Sequence, residues 1–310
     1  MLGRGIVIIV AHDADEHADV VQTELERRQV SVCRTSRTAL PSTRFHWSLS
    51  GHFAIGDVDV KGNSGFWRRP AQADLSQTAA EFAGFVYREA KDAFDGAFLS
   101  SDIRWLSHPL AVHAAELKIC QLRKASELGL PVPETLVSNV AAEAVAFSRD
   151  QGHVVVKPVR YGLVTGDPHP SVAWTTEVTE VQLAGLHGTP VILQKMLDTQ
   201  FHLRVVTVGD RVFVSRLEAP ELDWRAEIGN HARFVAVDAG RHEAVEQGAT
   251  RLSAAFSLGY TAQDWVVDRD DRAWFLELNP SGQWLFVDEI HGGAITSAIV
   301  DRLEVTRGER

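Results

Sequence analysis

The chain has 310 residues, enough for a sizeable hydrophobic core and for two or three lobes. Its net charge is −10 and it has no block of Lys or Arg, which argues against a nucleic-acid-binding surface and a nucleic-acid partner. No apolar run reaches membrane-spanning length and the first residues lack a signal-peptide pattern, so we expect a cytoplasmic protein without a membrane partner.

The first hundred residues predict a small doubly wound α/β lobe, because a helix separates two short apolar strands. The turn at residues 11–15, after the first strand, lacks the glycines of a P-loop or a dinucleotide-binding loop, so both nucleotide motifs are excluded here. The elements predicted in this part are a strand, a helix, a strand, a hairpin-like pair and a long helix, at residues 6–10, 13–28, 30–34, 45–60 and 74–94.

From residue 113 onward, helices and short strands alternate, which predicts an α/β protein overall. A helix over residues 113–128 carries an apolar stripe and ends before Gly129. Cys120 lies on that helix and is expected to be a small core residue. Two cysteines without a metal-binding or paired spacing argue against a zinc site or a disulfide framework. Further strands are predicted at residues 135–137, 154–157, 191–194 and 203–217, and further helices at 141–149, 243–258 and 295–303.

The most informative pattern lies near the carboxyl end. Glu277 and Asn279 are two residues apart at the end of an apolar strand, so both side chains leave the same face. Asp264 lies on the preceding predicted strand, and the turn at residues 268–272 would pair the two strands. Three hard oxygen ligands suit Mg²⁺, which completes its shell with water and phosphate oxygens. The alternative is a surface hairpin with solvated acids.

Three isolated cations, Lys118, Lys157 and Arg204, end apolar elements, where burial is unfavourable without an anion. Lys118 and Lys157 would neutralise the α- and β-phosphates of a nucleotide, and the planar fork of Arg204 would clamp a γ-phosphate or an acyl phosphate. Groups near Gln194 to Leu197 would edge the adenine. The pattern predicts a phosphoryl-transfer site without a P-loop. The alternative for each cation is a solvated or snorkelling side chain.

Taken in order, these motifs resemble the ATP-grasp superfamily over most of the chain beyond residue 105. The resemblance rests on Lys118, the sequence GLPVP after it, Lys157, Arg204 and the sequence FLELNPSGQW. More narrowly, the chain is similar to the ATP-grasp maturases of ribosomal peptides, the graspetide or microviridin-type ligases. That similarity rests on FWRRP at residues 66–70, WL at 105–106, DWR at 223–225 and residues 277–284.

The resemblance implies a pre-ATP-grasp domain at residues 1–108, a central ATP-grasp lobe at 109–190 and a C-terminal lobe at 191–310, with ATP between the two grasp lobes. It implies an ADP-forming ligase that phosphorylates an Asp or Glu side chain of a ribosomal precursor peptide, made of leader and core. A Ser, Thr or Lys of the same peptide would then attack to close a ring. Homodimers are common in the family.

By motif match, the resemblance also assigns roles to individual residues. Mg²⁺ would bind Asp264, Glu277 and Asn279. Arg225 would face the acceptor carboxylate as a catalytic residue beside Arg204. The nucleotide would contact a set of strand and helix residues, namely Lys118, Lys157, Gln194, Lys195, Leu197 and Arg204.

Two departures from the family pattern stand out. Lys195 follows the strand-ending Gln, where an acidic residue is common, and Asp198 is a candidate substitute. The loop at residues 159–166 is the expected lid over the phosphates, with fewer glycines than many grasp loops.

Several alternatives stay open. Arg68 and Arg69 either line the crevice beside the first lobe or form surface ion pairs, and Trp284 is expected to pack under the metal-binding hairpin. The rival functions are an intermolecular carboxylate–amine ligase and a non-catalytic protein that only binds a peptide or nucleotide.

Overall fold

Short strands and amphipathic helices alternate along the computed structural model, which describes residues 6–40, 43–60, 64–70, 72–160, 163–164 and 171–308. The strands β1 to β18 within these residues are Val7–Val10, Val32–Thr35, Phe45–Trp47, Phe53–Ile55, Val58–Asp59, Ser64–Trp67, Arg104–Trp105, Thr135–Ser138, Val154–Lys157, Leu163–Val164, Ser171–Val172, Thr176–Val178, Val191–Lys195, Thr199–Val208, Arg211–Leu217, Val235–Val237, Tyr260–Asp268 and Ala273–Asn279. The helices α1 to α9 are Glu16–Arg27, Ala80–Leu99, Pro109–Ala115, Lys118–Glu127, Ala141–Gln151, Glu180–Ala184, Glu243–Ala255, Leu285–Asp288 and Ala294–Gly308. None of these helices is both long and apolar enough to cross a membrane.

The first lobe is built on a parallel sheet with strand order β2-β1-β6-β7. All residues of β1 are buried, as its continuous apolar run predicts. Helix α1 begins at Glu16 because Asp15 caps it, accepting a hydrogen bond from the Ala18 amide at 3.1 Å. The predicted hairpin-like pair is a three-stranded antiparallel sheet, β3-β4-β5, and the long helix is α2, shifted five or six residues toward the carboxyl end.

The central sheet has the order β12-β9-β13-β8 and is antiparallel. Its own small core consists of Ala144, Val154, Leu183 and Leu193, under helices α5 and α6. Strand β13 belongs to this sheet, whereas helix α4 packs on β18 and α7 of the next unit. The predicted division at 109–190 and 191–310 therefore does not follow the sheets at these two places.

The C-terminal sheet is antiparallel with the order β16-β15-β14-β17-β18. Along β14, Leu203 and Val205 belong to the same buried cluster as the apolar face of α7. Arg204, between them, therefore lies on the opposite face. Helix α9 packs on α1, β6 and β14, so the end of the chain joins the first lobe to the C-terminal sheet.

The single helix predicted over residues 113–128 is wrong, because the chain forms two helices, α3 and α4, with extended backbone at Leu117. Buried Gln121 stabilises the break by donating to the Ala115 carbonyl at 2.6 Å. The same side chain pairs with the backbone of Leu278 on β18, donating to its carbonyl at 2.7 Å and accepting from its amide at 2.9 Å. Lys118 thereby becomes the first residue of α4. Cys120 is exposed rather than buried, since Gln121 and Ala125 take the inward positions.

Candidate active site

A cleft of about 260 Å³ lies between the central and C-terminal sheets. It gathers seven of the predicted site residues: Lys118, Lys157, Gln194, Arg225, Asp264, Glu277 and Asn279. A smaller pocket continues from it, because Lys157, Gln194 and Leu276 line both spaces. Lys195 and Leu197 line this second pocket.

Strand pairing brings the three predicted metal ligands together. Asp264 on β17 lies opposite Glu277 on β18, and Ala262 lies opposite Asn279. The register shifts next to Asp264, since Trp265 pairs with Phe275, so that Leu276 is the additional residue of a β-bulge. Both Leu276 and Glu277 consequently line the cleft, while Phe275 stays in the core. The alternative of a solvated surface hairpin is wrong for these residues.

The donor set fits Mg²⁺ by its chemistry. Two carboxylates and one amide present hard oxygens, and a Mg²⁺ site in proteins commonly uses one or two carboxylates together with substrate phosphates. The oxygens face cationic or N–H groups: Asp264 pairs with Arg204 at 2.9 Å and Glu277 with Lys118 at 3.6 Å. The Asn279 Oδ1 accepts from the Ser281 amide at 3.0 Å. In the described part of the chain no cluster of three or more His, Cys, Asp and Glu suits a metal, so the amide of Asn279 is needed to complete this set.

The two lysines lie where the binding of an anion would be favourable. Lys118 donates to the Pro158 carbonyl at 3.4 Å as well as pairing with Glu277. Burial lowers the pKa of the Lys157 ammonium to about 8, an effect that Glu277 opposes and Lys118 reinforces. A phosphate in the cleft would offset this cost of burying charge.

Arg204 does not lie in the cleft, where the sequence predicts it to contact phosphate. It is 5% exposed and does not line the cleft. Its guanidinium pairs with Asp264 and donates to the Gln283 carbonyl at 2.7 Å, so it holds Asp264 from behind. Direct contact of Arg204 with phosphate stays a prediction.

The DWR segment projects Arg225 into the cleft from a 3-10 turn, Trp224–Ala226. Asp223 accepts two hydrogen bonds from the Arg225 guanidinium, at 2.8 and 2.9 Å. Burial opposes ionisation of Asp223, yet the Arg225 guanidinium keeps its pKa below the ordinary value. Asp223 raises the pKa of Arg225 although burial opposes this, so the pair is ionised. One Arg225 nitrogen lies 3.9 Å from Glu277.

The smaller pocket is mostly apolar, with Pro133, Val155, Met196 and Val266 in its wall. A hydrophobic space with a few polar groups suits a nucleobase. Asp198, the candidate replacement for the missing acidic residue, pairs with Arg269 at 3.0 Å and lines neither space. Of the expected lid at residues 159–166, residues 161–162 and 165–166 lie outside the described part of the chain.

The first lobe supports the loop that follows the metal-binding strand. Arg68 is 3% exposed and pairs with Asp15 at 2.9 Å, so the surface alternative is wrong for this residue. Arg68 and the Tyr260 hydroxyl both donate to the Gly282 carbonyl, at 3.4 and 2.9 Å. Trp284 is fully buried beneath them, with the Arg68 guanidinium 4.9 Å from its ring, as expected.

Sequence reasoning missed three polar residues of the site. Gln121 fixes β18, Thr175 donates to Asp223 through its hydroxyl at 3.3 Å, and His202 lines the cleft. Burial lowers the pKa of His202, although Asp264 opposes this, so its ring is neutral at pH 7. His202 precedes Arg204 by two residues, the spacing that puts two side chains on the same face of a strand, and this signal could have been used.

No family model matches this chain, and no curated protein matches it. Solved structures do match. The RiPP-associated ATP-grasp ligase of Chryseobacterium gregarium, in complex with ADP and a leader and core peptide, is 22% identical with a TM-score of 0.87, over 99% of this chain and 98% of that chain. The macrocyclase MdnC of Microcystis aeruginosa, bound to the precursor peptide MdnA, is 22% identical with a TM-score of 0.83, over 96% and 98% of the two chains. The D-alanyl-alanine synthetase A of Vibrio cholerae is 15% identical with a TM-score of 0.66, over both whole chains.

These likenesses show that the chain has the ATP-grasp fold, which confirms the α/β fold class and the fold that the sequence motifs imply. The first two match over nearly their full length, including the first lobe.

Proposed function

We propose that this protein is a Mg²⁺- and ATP-dependent carboxylate ligase that matures a ribosomal precursor peptide by closing ester or amide rings. One observation carries the proposal: a single cleft brings together two lysines, Arg225 and the three oxygen ligands. The fold supports it, since one solved relative holds ADP with a leader and core peptide and another is a macrocyclase bound to its precursor.

ATP would lie between the central and C-terminal sheets, with its adenine in the apolar pocket beside Gln194 to Leu197. Its phosphates would face Lys118 and Lys157, whose like charges repel one another unless an anion lies between them. Mg²⁺ held by Asp264, Glu277 and Asn279 would neutralise charge on the phosphates. Arg204 would hold Asp264 in position through their ion pair.

The proposed reaction has two steps. A peptide carboxylate oxygen attacks the terminal phosphorus of ATP, the bond to ADP breaks and an acyl phosphate forms. A Ser or Thr hydroxyl, or a Lys amine, then attacks the acyl carbon, phosphate leaves with the bonding electron pair, and the nucleophile gives up its proton. A hydroxyl yields an ester and an amine yields an amide.

Arg225 would face the reacting carboxylate. Asp223 holds its guanidinium at two points, so the planar fork is pre-oriented and the free edge near Glu277 can bind an anionic oxygen. Charge stabilisation from a fixed donor needs no reorganisation during the reaction.

We also propose a division of the chain into units that follows the sheets, with the central unit running from β8 to β13 and the C-terminal unit including α3 and α4.

The expectations of a cytoplasmic location and a homodimer stay predictions. Light scattering on the purified protein checks the second.

Mass spectrometry of a candidate precursor peptide, short and rich in Thr and in Asp or Glu, after incubation with this protein, ATP and Mg²⁺, tests the function. We expect the loss of one water mass for each bond formed, together with ADP. Glu277→Gln should abolish both, whereas Asp270→Asn, a carboxylate in the turn of the same hairpin, should not. A mass gain from an added amine would instead establish an intermolecular ligase. Undiminished ATP turnover in Glu277→Gln would contradict the metal-binding role.

A further inference from the structure

The cleft continues into two pockets of opposite character. One is the apolar pocket beside Gln194, and the other is a small polar pocket that shares Lys118, Glu277 and Asn279 with the cleft. The two pockets have no described lining residue in common, so they lie at different ends of the cleft. With the adenine in the apolar pocket, the phosphates would run past the lysines toward the metal ligands. The terminal phosphate would then face the polar pocket, so the peptide would reach it from that side.

Glu116 lines the polar pocket, and the fold holds it close to the metal-binding strand. It directly follows α3, in the break before α4. Buried Gln121 donates to the carbonyl of Ala115, the residue before Glu116. The same side chain pairs in both directions with Leu278, which lies between the two metal ligands of β18. One side chain therefore fixes the backbone beside Glu116 relative to the metal ligands.

Glu116 differs from the other carboxylates of the site. Within the described residues, four carboxylates line the cleft and its two pockets: Glu116, Asp223, Asp264 and Glu277. Asp264 and Glu277 are the proposed metal ligands, and Asp223 accepts two hydrogen bonds from Arg225. An Arg160 nitrogen lies 3.9 Å from Glu116, which is too far for a hydrogen bond, so this ion pair leaves the Glu116 lone pairs available.

His202 is the alternative proton acceptor. It lines the cleft but not the polar pocket. Its partner across the strands is Val266, which lines the apolar pocket. His202 therefore lies toward the place of the nucleobase rather than toward the terminal phosphate.

We propose that Glu116 is the general base for ring closure by a Ser or Thr hydroxyl. As the hydroxyl oxygen bonds to the acyl carbon, a Glu116 carboxylate oxygen takes its proton. The bond between the acyl carbon and the phosphate oxygen breaks, and phosphate leaves with the bonding electron pair. The proton then passes from Glu116 to water. A positioned base of this kind raises the rate by about 10²- to 10⁴-fold. The inference rests on the proposed function, since it requires an acyl phosphate in the cleft.

Glu116→Gln tests this role, because glutamine has nearly the same size as glutamate but cannot take the proton. The assay incubates the full chain with ATP, Mg²⁺ and the Thr-rich candidate peptide, with and without hydroxylamine. An uncharged amine attacks an acyl phosphate without first losing a proton, so hydroxylamine traps the activated carboxylate as a hydroxamate. Mass spectrometry then counts rings and hydroxamates separately.

We expect ring formation to slow at least about 100-fold in Glu116→Gln, while hydroxamate formation stays within about threefold of the wild type. The affinity for Mg·ADP, measured by calorimetry, should stay within about twofold, because the base acts after the nucleotide has bound. Glu127→Gln is the matched control, since Glu127 is an exposed glutamate of α4 that pairs with Arg123 and Lys124. It should form rings at the wild-type rate.

Each outcome decides one statement. If the wild type binds no Mg·ADP, the proposed function is overturned. If Glu116→Gln closes rings at the wild-type rate, the proposed function stands and the role of Glu116 as the base is overturned. If Glu116→Gln loses hydroxamates together with rings, Glu116 acts before the acyl phosphate forms, which also overturns that role. An equal loss of ring formation in Glu127→Gln would overturn it as well, since the loss would then follow from charge alone.

Discussion

Gln121 joins the break between α3 and α4 to the edge strand β18, so its replacement is an informative perturbation. Gln121→Met keeps the length and most of the volume of the side chain. It removes the donor to the Ala115 and Leu278 carbonyls and the acceptor for the Leu278 amide. The Ala115 carbonyl and the Leu278 carbonyl and amide would be left buried without these partners, beside the edge strand β18.

The expected cost follows from those three groups. Each unsatisfied backbone group costs at least about 1 kcal/mol, which sums to roughly 3 kcal/mol. Apolar burial of the methionine returns about 1 kcal/mol. The net destabilisation of roughly 2 kcal/mol corresponds to a melting temperature lower by about 4 °C.

Two measurements check this expectation. Thermal unfolding followed by tryptophan fluorescence gives the global effect, with Gln247→Met as the control, since Gln247 is exposed and its side chain bonds to Glu243 on the same helix. Hydrogen exchange of the peptide containing Leu278 gives the local effect, which should be a loss of protection on β18. A melting temperature and a Leu278 exchange rate equal to those of the wild type would refute the reasoning.

Three other predictions concern charge. Arg68→Met leaves the buried Asp15 carboxylate unpaired and should cost about 3–5 kcal/mol in chemical unfolding, whereas Arg27→Met, in an exposed pair, should leave the unfolding midpoint close to that of the wild type. The affinity for Mg·ADP should fall up to about tenfold from pH 7 to pH 9, because Lys157 loses its proton near pH 8, and Lys157→Arg should remove that dependence in calorimetry. Arg225→Lys keeps the charge but loses the fork, so ring formation should slow at least about 100-fold while Mg·ADP affinity stays within twofold; equal losses in both would contradict a role toward the peptide carboxylate.

The parts of the site that could be predicted are those set by local spacing. Glu277 and Asn279 share a face because strand geometry has a period of two, and Asp264 meets them because the intervening turn is short. The bulge at Leu276 could not be predicted, since an extra residue in one strand changes nothing in the local hydrophobic pattern until the partner register is known.

The break before Lys118 shows a different limit. Residues 113–128 have continuous helical periodicity, and the preference for two helices comes from Gln121 reaching a strand 157 positions later in the chain. Similarly, Arg204 has the expected position at a strand, but its contact with Asp264 depends on the pairing of β14 with β17. Tertiary contacts of this kind override local propensity and have no signature in a single sequence.

The distribution of the hydrophobic clusters has a mechanical consequence. The core of the central sheet is separate and small, whereas the other two clusters each join the first lobe to the C-terminal sheet. Arg28, the residue that follows α1, forms ion pairs with Asp301 and Glu304 on α9, which join the first lobe to the carboxyl end of the chain. We therefore expect any hinge motion to move the central sheet relative to the first lobe and the C-terminal sheet, which stay together as one rigid body. The hydrogen bond from Thr175 to Asp223 links the central sheet to the C-terminal unit. Whether it forms would therefore depend on the angle between the two.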